Sequence, residues 1–179
     1  MILNESGWCS KARVEASPNH NARPQHEVSL LVIHNISLPP GEFGGDGVIK
    51  LFTNTLNGNT HSAYQDLKGL KVSSHFWVRR TGEVVQFVST SDRAWHAGVS
   101  AFEGRQNCND FALGIELEGT DERAYTPAQY DSLVALTKSV MACYPAITKA
   151  RIVGHSDIAP GRKTDPGRAF DWGHYKGQL

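Results

Sequence analysis

Two histidines and one aspartate form the most chemically suggestive set in this chain. His34 closes the apolar run LLVIH, His155 closes ARIVGH, and Asp165 follows His155 across the Gly/Pro-rich loop SDIAPGRKTDPG. Two imidazoles and a carboxylate leave one tetrahedral position on zinc open for water, which is the arrangement of catalytic rather than structural sites. Ligands this far apart leave no local signature. The chain has no HExxH and no CxxC, and its 8 histidines offer many accidental pairs. Spacing alone therefore leaves two readings of each histidine open, a metal ligand or a hydrogen-bonded residue at a strand end.

Three further side chains could act beside such a centre. FALGIELE alternates strictly, with Phe111, Leu113, Ile115 and Leu117 on one face and Ala112, Gly114, Glu116 and Glu118 on the other. Glu116 is either a general base for attack of water on an amide carbonyl or a solvated glutamate on an open sheet face. Gly114, two positions before it, would let a ligand approach the backbone. Lys163 precedes Asp165 by two residues and is either an oxyanion partner or an ordinary exposed lysine. Arg162 doubles the local positive charge and suits a substrate carboxylate.

The elements that must position these groups read as α/β, a mixed β-sheet flanked by helices in a single domain spanning 1–179, with residues 1–28 mostly irregular surface loop. Leu30 to His34 suits a central strand covered on both faces. A long Pro/Gly-rich loop follows, and then a short helix over Val48 to Leu56. Ser74 to Val88 reads as a hairpin around Thr81 and Gly82. Thr126 is an N-cap with Pro127 behind it. Tyr130, Leu133, Val134, Thr137, Val140 and Met141 then trace one helical stripe that Pro145 ends. Ala150 to His155 is the last strand. Open α/β sheets hold ligands at the carboxyl ends of strands, where His34 and His155 are expected to stand.

Composition narrows the function. With 179 residues, 40% of them hydrophobic, the chain can bury a core without staples. Lys plus Arg (18) balances Asp plus Glu (18), so no broad field attracts nucleic acid or an anionic membrane, and specificity must be local. Cys9, Cys108 and Cys143 are too few and too scattered for a disulfide framework, which points to a reducing compartment. The start of the chain has no basic stretch followed by an apolar run, so a soluble, cytoplasmic protein is expected, with no obligate protein partner evident. A thiol hydrolase on Cys108 or Cys143 is a rival reading, although Cys143 falls on the predicted helix, where a buried structural thiol is usual.

Longer words in the sequence are more specific. HNISLPPGEFGG from His34, RAWHAGVS from Arg93, NDFALGIELEGTD from Asn109, and GHSDIAPGRKTDPG with FDW between Gly154 and Trp172 resemble the AmpD-type 1,6-anhydro-N-acetylmuramoyl-L-alanine amidases of bacterial cell-wall recycling. These belong to a zinc amidase superfamily similar to phage T7 lysozyme and the peptidoglycan recognition proteins. The resemblance runs in order from near the amino terminus to Trp172. It implies Zn2+ held by His34, His155 and Asp165, with Glu116 as catalytic base and Lys163 as oxyanion stabiliser. The implied substrate is an anhydro-muropeptide, cut at the bond between muramoyl sugar and L-alanine. Asn35, Trp95 and His96 are then expected as groove walls, His96 being either a direct contact or structural. Lys71 stands where arginine is common, and a lysine keeps the charge but loses the bidentate fork. His75 alternates with the hairpin's apolar residues, as a core histidine would. Two rivals stay in view. One is an amidase of polymeric peptidoglycan, as in a lysin or exported enzyme; the other is a non-catalytic muropeptide-binding module, which should lack a ligand.

Overall fold

Leu30 to Ile33 is apolar without alternation because the strand that contains it is covered on both sides. The computed structural model describes residues 1–179. In chain order the elements are β1 (Arg13–Val14), β2 (His20–Ala22), β3 (Leu30–Ile36), α1 (Gly47–Phe52), β4 (Phe76–Val78), β5 (Val84–Gln86), β6 (Asp92–Ala94), β7 (Ala101–Phe102), β8 (Arg105–Gln106), β9 (Ala112–Glu118), α2 (Pro127–Cys143), β10 (Ile152–Gly154), α3 (His155–Ile158) and α4 (Trp172–Gly177). The main sheet runs β1-β5-β4-β9-β3-β10. β10, β3, β9 and β4 are parallel and β5 is antiparallel to β4, so the sheet is mixed and flanked by helices, as the sequence predicts.

The two faces of the sheet do different work. Leu31, Ile33, Phe76, Val78, Leu113, Ile115 and Leu117 pack under α2 against Leu133, Val134, Leu136 and Val140. That helix starts as predicted, with a capping box between Thr126 and Gln129 and proline in the first turn. Buried Gln129 also donates from Nε2 to the carbonyls of Val78 and Glu118, tying the helix start to the ends of β4 and β9. Leu133 is 0% exposed at the centre of this layer. Leu133→Ala should therefore lower stability by about 2–5 kcal/mol, read as a lower urea midpoint at unchanged slope.

On the opposite face, α1 covers Trp77 and Val85 through Val48, Ile49, Leu51 and Phe52. Leu30, Val32 and Ala112 meet Ile158 of α3. Between these patches His34, Glu116 and Trp77 lie side by side in register on β3, β9 and β4. Residues directly opposite share a face, so the histidine and the glutamate point the same way. The alternation in FALGIELE is real, but its second face is not open to solvent. All seven residues of β9 are buried.

Residues 1–28 are mostly irregular, as expected, but parts of them enter the core. Leu3, Cys9 and Val28 belong to the core under α2, and Arg13–Val14 adds an edge strand to β5. Arg23 is 2% exposed; its Nη1 donates to the carbonyls of Asn109, Asp110 and Ala112, and its Nη2 to that of Asp92. Burial lowers its pKa only to about 10, so the buried charge persists on backbone acceptors. Two other boundaries shift. β3 continues to Ile36, which puts His34 inside the strand, and His155 opens α3 instead of ending β10. No helix is long and apolar enough to cross a membrane.

Candidate metal centre and active site

β3, the start of α3 and the loop beyond it converge on one point. His34 Nδ1 lies 3.0 Å from His155 Nδ1 and 3.1 Å from Asp165 Oδ2, and His155 Nδ1 lies 3.0 Å from that same oxygen. Tetrahedral zinc with bonds of about 2.0–2.1 Å separates its ligands by about 3.3 Å. The triangle fits with a small relaxation. The loop folds back because the Ser156 amide donates to the Asp165 carbonyl and because Gly154 leaves room for Pro166, whose Cδ would stand 2.9 Å from a Cβ there.

His34 and Asp165 are in the forms that bind a metal. Burial pushes His34 down to about 4, which keeps it neutral. Burial also works to raise Asp165, but the two imidazoles of His155 and His34 against its oxygen outweigh it and hold the carboxylate well below its usual range. Each imidazole has a second support. His155 Nε2 donates to the Ala97 carbonyl at 3.0 Å, and His34 Nε2 lies 3.0 Å from His96 Nδ1.

Glu116, paired in register with His34, is 8% exposed, and its Oε2 is buried without a hydrogen-bond partner. Burial first, and then the charge of Asp165, raises its carboxyl well above the ordinary value, while Lys163 pulls the other way. An unpaired carboxyl beside a metal triangle is a group kept ready to take a proton.

Glu116, His155, Asp165, Lys163, Asn35, Trp95 and His96 line one groove of about 350 Å³. Its apolar wall consists of Leu38, Leu51, Phe52, Leu67, Leu70 and Val72, none of them singled out by the sequence reading. The available signal was the density of large apolar residues in α1 and the segment after it, more than a short surface helix needs. Asn35 also borders an adjoining polar cleft of about 610 Å³ with Arg162, Lys163 and Thr164, and its Nδ2 donates to Asp121 Oδ1 at 2.8 Å. Trp95 Nε1 donates to Asn21 Oδ1 at 2.8 Å, which fixes the indole at the groove.

Other expected residues take different places. Lys71 borders a hollow with Asn54, Leu56 and Gly69 that shares Leu51, Leu67 and Leu70 with the groove. Arg162 donates from Nη2 to the carbonyls of Ala97 and Val99, both at 2.6 Å, and from Nε to Val99 at 3.1 Å. Through Nε and Nη2 the guanidinium braces the 97–99 turn, while the exposed residue still borders the polar cleft. Gly114 does not admit a ligand to the backbone: a Cβ there would stand 2.6 Å from His96 Cγ, so the space belongs to that imidazole. Cys143 is exposed, not buried; Cys108 is buried, and neither lines the groove. His75 is a core histidine as expected. Its Nδ1 accepts from the Gly114 amide and its Nε2 donates to the Asp92 carbonyl.

Known proteins resemble this chain in sequence and fold. The profile of the family described as N-acetylmuramoyl-L-alanine amidase matches residues 24–168. The chain is 53% identical over 176 residues to the 1,6-anhydro-N-acetylmuramyl-L-alanine amidase AmpD of Escherichia coli (strain K12), covering 98% of this chain and 96% of that protein. A crystal structure of a selenomethionine AmpD derivative superposes with a TM-score of 0.97 at 51% identity, over 100% of this chain and 99% of that one. A structure of the Escherichia coli amidase AmiD, solved in complex with the substrate anhydro-N-acetylmuramic acid-L-Ala-D-gamma-Glu-L-Lys, matches with a TM-score of 0.63 at 28% identity. It covers 99% of this chain and 65% of that one. Sequence words, fold and matched relatives agree that the chain belongs to the N-acetylmuramoyl-L-alanine amidase family, in its AmpD branch.

Proposed function

We propose that this protein is a zinc-dependent hydrolase of the amide bond between 1,6-anhydro-N-acetylmuramic acid and L-alanine in soluble peptidoglycan fragments, serving cell-wall recycling in the cytoplasm. The observation that carries this reading is the buried, unpartnered Glu116 carboxyl beside the His34–His155–Asp165 triangle, at the floor of a groove. Zinc, when bound, polarises the scissile carbonyl and acidifies water.

The chain's own residues do the rest. His34, His155 and Asp165 would hold the ion. Glu116 takes the proton from the attacking water and passes it to the leaving nitrogen. Lys163, an exposed cation at the groove's edge, balances the negative charge that grows on the carbonyl oxygen. Asn35, Trp95 and the apolar wall enclose the substrate on either side of the bond. The anhydro sugar is taken from the AmpD relatives named for that substrate. Three free thiols fit a reducing compartment.

Mass spectrometry of products tests the reading. Anhydro-muropeptide should yield anhydro-N-acetylmuramic acid and a free peptide, and chelator should stop the reaction. Purified sacculi should be a poor substrate. Equal or faster release from sacculi would sink the recycling assignment, and activity in chelator would sink the metal. Lys163→Ala should lower kcat by about 10²–10³-fold with little change in KM or zinc content. A change confined to KM would make Lys163 a binding group instead.

A further inference from the structure

We propose that His96 is a positioning residue for the metal centre: its Nδ1 accepts a hydrogen bond from His34 Nε2 and so holds His34 in the tautomer whose Nδ1 is free to bind the ion. The inference rests on the zinc reading above and gives it a mechanism of assembly.

The two imidazoles can share one proton in only two ways. Either His34 carries it on Nε2 and donates to His96 Nδ1 at 3.0 Å, or His96 carries it on Nδ1 and donates in reverse. In the second case the remaining proton of a neutral His34 sits on Nδ1, the atom that meets His155 and Asp165 at 3.0 and 3.1 Å. A protonated Nδ1 cannot ligate. The state of His96 is therefore coupled to the readiness of His34.

The surroundings fix His96 in place. Its ring stands edge-on to His34 with centroids 5.0 Å apart and to His75 at 5.7 Å. It fills the notch left by Gly114, where a Cβ would approach to 2.6 Å. Asn109 Oδ1 accepts from the amides of His96 and Ala97 at 3.1 and 2.8 Å, so the backbone cannot swing the ring away. His96 Nε2 is buried with no partner. With Nδ1 accepting, the neutral ring must carry its proton on that orphaned atom. An unmet buried donor is unfavourable, and it is accounted for here by what the other nitrogen does.

The same short turn supports both histidine ligands, His34 through the His96 ring and His155 through the Ala97 carbonyl. Arg162 locks that turn from outside.

Histidine ¹⁵N spectra of the zinc-loaded wild-type protein should show His34 protonated on Nε2 and His96 bare on Nδ1. A proton on His96 Nδ1 would overturn the proposal. Zinc affinity, measured by competition with a chromophoric chelator, should fall about 10–100-fold in His96→Leu. His96→Asn, whose amide oxygen can stand near the lost Nδ1, should recover most of that loss. Wild-type affinity in the leucine variant, or equal weakness in both variants, overturns the role. If His96→Leu does not fold, Gly114→Ala displaces the ring by steric contact, and unchanged zinc affinity there is the overturning result. A wild-type protein that takes up no zinc removes the metal reading itself. Wild-type affinity in a loaded His96→Leu protein removes this inference alone.

Discussion

Glu116→Gln is expected to lower kcat by about 10²–10⁴-fold while zinc content and fold stay as they are. Glutamine keeps the shape of the side chain and removes only its capacity to take and return a proton. Near-wild-type turnover on anhydro-muropeptide would end the assignment of Glu116 as base. A second consequence concerns stability of the metal-free protein. Burial raises the folded-state pKa of Glu116 above its unfolded value. The neutral form therefore suits the fold, and stability present at low pH is lost as pH rises through the folded pKa. Glu116→Gln escapes that loss. Its melting temperature without metal should exceed that of wild type near neutral pH, and the gap should close toward pH 4. A gap that widens on acidification would contradict the burial argument.

Removal of the ion should have the other large effect, taking turnover to background. One equivalent of zinc should restore it. His155→Ala should reach the same low rate and should not recover at modest zinc, because the triangle then lacks a corner. Full activity after exhaustive chelation, with metal analysis showing none left, would be decisive against the scheme.

How much of this was legible in the sequence differs by element. β3, β9 and α2 carry continuous, alternating and helical apolar patterns, and all three were placed with small boundary errors. The core contribution of the amino-terminal segment was missed because it is piecemeal. Leu3 and Cys9 are single apolar residues in polar text, β1 is two residues long, and Arg23 is buried against carbonyls that no periodicity announces. His155 looked like a strand end because α3 has only four residues, too few to show a period.

The site divides in the same way. From spacing, the three ligands were one reading among several, since His34 and Asp165 are 131 positions apart. The family words settled which residues to gather, and the folded chain gathers them. Gly114 was misjudged because it was read for what it could offer a ligand, whereas its space is filled by the His96 imidazole. Arg162 has a further task that spacing does not announce, with Nε and Nη2 on the carbonyls of the 97–99 turn.

The wide separation of the ligands has a thermodynamic side. His34 and His155 lie 121 residues apart, so an ion held by both is a cross-link that closes most of the chain into one loop and ties β3 to the segment that follows its neighbour β10. A folded protein that binds the ion when its unfolded chain does not gains about 2.7 kcal/mol at a hundredfold excess over Kd. In this enzyme the ion would act as a clasp as well as a catalyst, and the supply of metal would set how long the chain survives heat and proteases.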